Sequence, residues 1–178
     1  MPENPRLVSS EIVYHGKLFD VRLDDLQMPG GVRAKREIIR HPGAVCMVPV
    51  DADGRLALVT QYRHAAGRRL LELPAGTLEP GEEPGATVVR ELQEEIGMRP
   101  GKVDALGGFF VAPGYTTEYI WLFVCTDLVP ARLDSDDDED IEVERATATE
   151  ALAAIESGGI CDAKSVVGIL RWFQSINR

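Results

Sequence analysis

Most of the chain reads as short runs of alternating hydrophobic and polar positions, and helical spacing is confined to the middle and the end. Leu18 to Met28 (LFDVRLDDLQM) alternates imperfectly. A Pro29-Gly30-Gly31 turn follows, and VRAKREIIR returns as its partner strand. Next, AVCMVPV and RLALVTQYR flank DADG, and the Asp-Gly pair between two β-rich runs predicts a hairpin. RRLLELPAGTLEPGEEPG reads as a strand entering a Gly/Pro-rich loop. Pro84 then suits a first helical turn and Gly97 a helix end. Between them Ala86, Val89, Leu92 and Ile96 keep helical spacing and predict the buried stripe, with the glutamates pointing away. KVDALGGFFVAPG and EYIWLFVCTDL read as two more strands. The acidic loop LDSDDDED precedes a short strand, IEVERA. Two helices, roughly 149–157 and 162–176, end the chain, and Trp121 and Trp172 are assigned to the core. Strands before and after one central helix predict α+β or α/β layering rather than an all-β fold. There is no internal repeat. Residues 1–40 are read as an N-terminal antiparallel strand region and 41–178 as the main domain, a mixed-sheet core with a central helix and two C-terminal helices.

Composition narrows the function classes. The 178 residues are 44% hydrophobic and 27% charged, enough for a globular core. A net charge of −10 argues against holding nucleic acid through phosphate contacts alone, but not against anionic substrates bridged by divalent cations. MPENPRLVSS carries no apolar signal core, and no apolar run approaches membrane-spanning length. The expectation is a cytoplasmic protein with neither nucleic-acid nor membrane partners. Cys46 and Cys125 lie in apolar strand-like runs and are expected to be buried free thiols. With Cys161 they fit no zinc-site spacing.

The chemistry concentrates in the central helix. RELQEEIG places Glu91 and Glu95 one turn apart on one face, where like charges destabilise an isolated helix by a few tenths of a kcal/mol. Something positive is expected there. The wider stretch, GTLEPGEEPGATVVRELQEEIGM, sets Gly76, Glu82, Arg90-Glu91-Leu92, Glu94-Glu95 and Gly97-Met98 at fixed intervals. At every specified position it resembles the Nudix box. The resemblance implies the α/β/α layered Nudix fold and a metal-dependent diphosphate hydrolase. Hard carboxylate oxygens at close spacing suit Mg²⁺, with Mn²⁺ as a substitute, rather than zinc. The implied ligands are Glu91, Glu95, Glu94 and the carbonyl of Ala75, with Gly76 letting that backbone approach. Arg90 is placed to pair with the cluster or with Glu82.

Beyond the box the chain is similar to the ADP-ribose pyrophosphatase subgroup, in QYRHAAGRRLLELPAG, FFVAPGYTTE and SGGICDAKSVVGILRW. The implied reaction converts ADP-ribose to AMP and ribose 5-phosphate. The alternative is the same chemistry on another nucleoside diphosphate sugar, such as GDP-mannose, or on an oxidised nucleotide. The acidic charge and intact box weigh against a DNA-regulating sensor. By resemblance, Arg63 contacts the diphosphate and Glu118 a ribose hydroxyl. Phe19 and Arg36 reach the site of a partner subunit, which implies a homodimer. For the general base the acidic loop offers Glu139, two residues before the IEV strand, with Asp137 next in line and Glu94 sharing the catalytic cluster.

Overall fold

A computed structural model describes residues 3–134 and 140–177. The chain divides into two compact units, one of residues 1–43 and 110–119, the other of residues 44–109 and 120–178.

The first unit is built on an antiparallel sheet in the order β1 (Arg6–His15), β2 (Asp20–Gln27), β3 (Arg33–Arg40). The Pro-Gly-Gly turn joins β2 to β3, as the sequence predicts. The segment 110–119 adds to β3: the Ile39 N–H donates to the Tyr115 carbonyl at 2.8 Å, and the Thr117 N–H to the Ile39 carbonyl at 2.9 Å. β1 is exposed along all its length, and Leu7, Ile12, Val13 and Tyr14 present apolar surface to solvent.

The second unit carries the main core. β4 (Ala44–Pro49) is buried at every position, so both of its faces are covered. Its neighbours in the sheet are β7 (Ala75–Thr77) and β10 (Tyr119–Thr126), with β9 (Lys102–Phe110) beyond β10. On one side Val45 and Met47 pack with Val88, Leu92 and Ile96 of the central helix region. On the other, Cys46 and Val48 pack with Ile169 and Trp172. Alternation along one strand thus feeds two cores, which gives the helix–sheet–helix layering expected of the fold. Full burial of one such side chain, Leu92, contributes about 2 kcal/mol. A second antiparallel sheet runs β12 (Ile141–Ala146), β5 (Leu56–Arg63), β6 (Arg68–Glu72), and β8 (Met98–Arg99) pairs with β11 (Val129–Pro130). The helices are α1 (Pro84–Glu95), α2 (Ala148–Glu156) and α3 (Ala163–Ile176). Thr147 and Glu150 close a capping box on α2, and Asp162 caps α3 by accepting from the Ser165 N–H. Trp172 is core, whereas Trp121 only packs, partly buried, against the α1-side cluster. Cys46 and Cys125 are buried free thiols, and burial pushes the Cys125 thiol up to about 12.

Two expectations are corrected. The DADG turn forms, with Asp51 Oδ1 accepting from the N–H groups of Asp53 and Arg55, but β4 and β5 do not form a hairpin ladder. Past a single Val50–Leu56 bridge they enter different sheets, because β7 and β10 already occupy both edges of β4. The buried face of α1 is also rotated from the expected one. Ala86 is exposed and Val89 half-buried, while Thr87, Val88, Glu91, Leu92 and Glu95 turn inward. Two adjacent i, i+4 rows are buried: an apolar row, Val88-Leu92-Ile96, and a polar row, Thr87-Glu91-Glu95. The glutamates therefore do not point away from the core.

Candidate active site

The polar row of α1 can be buried because β7 presents backbone to it. A Cβ added to Gly76 would lie 1.9 Å from Glu91 Cδ and 2.0 Å from Glu91 Oε1. The Glu91 carboxylate thus fills the volume that any side chain at position 76 would take. Glu91 is 8% and Glu95 3% exposed. One turn on, Glu95 Oε2 accepts from the Ala75 N–H at 3.2 Å. The loop between β7 and α1 stays beside the helix through Arg90. Its guanidinium donates to Glu82 at 3.0 and 3.1 Å, to Glu91 at 2.8 Å and to Glu94 at 2.9 Å. Hydrogen bonds from Arg90 hold the Glu82 carboxyl down at about 2, and the same partners raise the Arg90 pKa. Three carboxylates share this one guanidinium, with Glu95 buried beside them. The cradle thus gathers four carboxylates, and its oxygens are hard donors. That combination fits a hard divalent cation. Among the described residues, no three His, Cys, Asp or Glu side chains already form a metal-holding group.

A second ionic cluster lies at the end of β5. Alternation puts Val59, Gln61 and Arg63 on one face, and β6 brings Glu72 opposite Val59. Arg63 grips Glu72 in a fork: Nε donates at 3.0 Å and Nη2 at 2.7 Å. Lys164, in the first turn of α3, donates to the same carboxylate at 2.5 Å and to Asp162 at 2.9 Å. Burial works to lower the Lys164 pKa, but Asp162 and Glu72 together raise it. Hydrogen bonding to Glu72 is the main cause of the raised Arg63 pKa, and the field of Glu95 adds to it, so this cluster and the α1 cradle feel one another. Gln61 is buried, and its Oε1 finds no partner among the described residues.

The sequence-predicted residues divide as follows. Ala75, Gly76, Glu91, Glu94, Glu95 and Arg63 all belong to the second unit. The first five meet at the β7–α1 cradle, with Arg63 in the neighbouring cluster. Phe19, Arg36 and Glu118 belong to the first unit. Phe19 is half-buried, its ring 6.3 Å from that of Tyr14. Arg36 is exposed and donates to the Lys35 carbonyl. Glu118 is half-buried, and its carbonyl accepts from the Val111 N–H. Asp137 and Glu139 lie outside the described residues. Asp140, just beyond them, accepts from Arg69 at 2.6 Å. Sequence reasoning missed Glu72, Lys164 and Asp162. The available signal was one acid inside an apolar run, LLELP, and an Asp-x-Lys at a helix start, which buried pairing explains.

Known proteins resemble this chain in sequence and fold. The NUDIX domain model matches residues 40–164. The ADP-ribose pyrophosphatase of Bacillus subtilis (strain 168) is 36% identical over 166 residues, covering 92% of this chain and 90% of that protein. The GDP-mannose pyrophosphatase of Citrobacter koseri is 34% identical over 146 residues, 76% of each. A solved structure described as an ADP compounds hydrolase superposes with a TM-score of 0.89 at 25% identity, covering 99% of this chain and 96% of that one. The domain match spans the strands that flank the cradle as well as α1 itself, and with the full-length relative it establishes that the chain belongs to the NUDIX domain family.

Proposed function

We propose that this protein hydrolyses the diphosphate bond of ADP-ribose, releasing AMP and ribose 5-phosphate, with Mg²⁺ as the preferred ion and Mn²⁺ as a substitute. The observation that carries this reading is the buried Glu91/Glu95 pair packed on the bare backbone of Gly76, with more carboxylates than cations around it. Glu91, Glu95, Glu94 and the Ala75 carbonyl would hold the ion. When bound, the ion neutralises diphosphate charge and makes a coordinated water acidic. Arg63 contributes a fixed guanidinium to the diphosphate oxygens. Water adds to one phosphorus, the bridging P–O bond breaks, and the water's proton passes to Glu139, or to Asp137 if the loop is shifted by one contact. Glu118 hydrogen-bonds a ribose hydroxyl. Phe19 and Arg36 serve a partner subunit's site, and the uncovered apolar surface of β1 supports a homodimer in which residues 1–40 are the pairing segment.

The test is a panel of nucleoside diphosphate derivatives incubated with protein and Mg²⁺, with products identified by mass. AMP and ribose 5-phosphate should dominate. Faster turnover of GDP-mannose would favour the second reading, which the Citrobacter relative supports. No diphosphate cleavage at all would overturn both. Glu139→Gln should lower kcat by about 10²–10⁴ with KM little changed. If Asp137→Asn does so instead, Asp137 is the base.

A further inference from the structure

We infer that Lys164 is a positioning residue for Arg63, acting through Glu72, and so sets the affinity for the substrate's diphosphate group. This rests on the reading of Arg63 as a diphosphate contact and adds the device that aims it.

The chain of contacts is short and buried. Glu72 is 1% exposed, and the Lys164 side chain 13%. Glu72 accepts from Arg63 Nε and Nη2 on one side and from Lys164 Nζ on the other. Two of the three guanidinium nitrogens are thereby fixed, and Nη1 makes no hydrogen bond with a described residue. A guanidinium forked on a rigid carboxylate loses little freedom when it meets phosphate, so its binding cost falls. Glu72 is rigid for two reasons. It sits in the β5–β6 ladder, and Lys164 ties it to the start of α3. That start is itself pinned, because Asp162 caps the helix and holds Lys164 Nζ. Ser165 Oγ accepts from the Leu73 N–H at 2.7 Å, one residue past Glu72. The four charged groups, Arg63, Glu72, Lys164 and Asp162, sum to zero. Without Lys164, Glu72 and Asp162 would compete for Arg63, and the guanidinium would lose the fixed setting that leaves Nη1 available. A lysine kept only to hold α3 would not need a carboxylate already forked on an arginine.

The experiment is a double-mutant cycle of Lys164→Met and Arg63→Ala, with KM and kcat for ADP-ribose, the Mg²⁺ activation constant and Tm all measured. Arg63→Ala should raise KM by roughly 10–100-fold, the scale of a lost charge-assisted hydrogen bond. Lys164→Met should raise KM by about 5–30-fold, with kcat and the Mg²⁺ constant within about threefold of wild type. In the Arg63→Ala background it should change KM less than about twofold, because there is no guanidinium left to aim. An unchanged KM in Arg63→Ala overturns the reading of Arg63 itself. A raised KM in Arg63→Ala but not in Lys164→Met overturns the positioning role alone, as does additivity in the double variant. Lys164→Gln, which keeps an amide donor to Glu72, should lie between wild type and Lys164→Met and carries the cycle if Lys164→Met does not fold. Failure of both variants to fold would make the pair a folding element and overturn the proposal.

Discussion

Gly76→Ala should separate activity from stability more sharply than any other single change. The residue does not need glycine for its backbone: Gly76 is absent from the positive-φ positions, so alanine brings no conformational strain there. The problem is volume. The new methyl would sit 1.9 Å from Glu91 Cδ and 2.4 Å from Glu91 Cγ, far inside contact distance. The obstacle is the end of a flexible side chain, so the structure yields by swinging the Glu91 carboxylate out of its cradle rather than by opening β7 from α1. The fold then loses about 1 kcal/mol, for an off-rotamer glutamate and a weakened Arg90 pair. With Glu91 in its proposed role, catalysis would lose a metal ligand, worth about 10²–10⁴ in kcat. Urea melts give the first number and AMP release under saturating Mg²⁺ the second. Glu91→Ala in the Gly76→Ala background should recover the lost stability, because the clash is gone, and restore no activity. Gly76→Ala with kcat within threefold of wild type would refute the cradle as described. So would a loss of several kcal/mol, since that would mean the strand and not the carboxylate gives way.

EDTA should abolish turnover and Mg²⁺ restore it. Mg²⁺ at about 100 times its Kd should stabilise the fold by about 2.7 kcal/mol, a gain that Glu91→Gln and Glu95→Gln should lose. Glu82 has its folded pKa depressed from 4.5 to about 2 by Arg90, so its stabilisation is complete above pH 4.5 and lost as pH falls toward 2. The full shift corresponds to about 3 kcal/mol, which solvent at the loop's rim reduces to about 1–2 kcal/mol. Melts of wild type and Glu82→Gln should converge across that pH window, and a constant gap would contradict the pairing. Light scattering should give a dimer at micromolar concentration, and removal of residues 1–40 should give an inactive monomer. A monomeric full-length chain would remove the pairing role of β1.

What the sequence disclosed, and what it hid, follows from the range of the interactions. The caps at Thr147 and Asp162 and the Pro84 start are local, and the helices lie within a residue or two of where the periodicity puts them. Strand positions were legible for the same reason. Strand partners were legible for β2 and β3, joined by the Pro-Gly-Gly turn, but not for β4. DADG is a sound turn, but a turn fixes only the residues inside it, and Val45 of β4 pairs with Gly76 and Trp121, 31 and 76 residues away. The Nudix box was legible because its chemistry needs residue types at fixed helical and loop spacing. The Arg63-Glu72-Lys164-Asp162 cluster was not, because its members are joined only by tertiary folding across 92 residues between Glu72 and Lys164.

The rotated face of α1 has a further lesson. Counting apolar residues at helical spacing selects Ala86 and Val89 because apolarity is taken as the only reason for burial. Burying Glu91 and Glu95 instead costs several kcal/mol per charge unless a partner compensates. A solvated face would have avoided that cost, and the helix could have achieved it by a small rotation toward the Ala86/Val89 side. It does not: Arg90 pairs with three of the acids, and the field of Glu95 reaches Arg63. On the proposed reading, a divalent ion would add positive charge to these acids when it binds. On that reading the rotation of α1 would hold its acids buried and in place for a divalent ion and a diphosphate before either arrives.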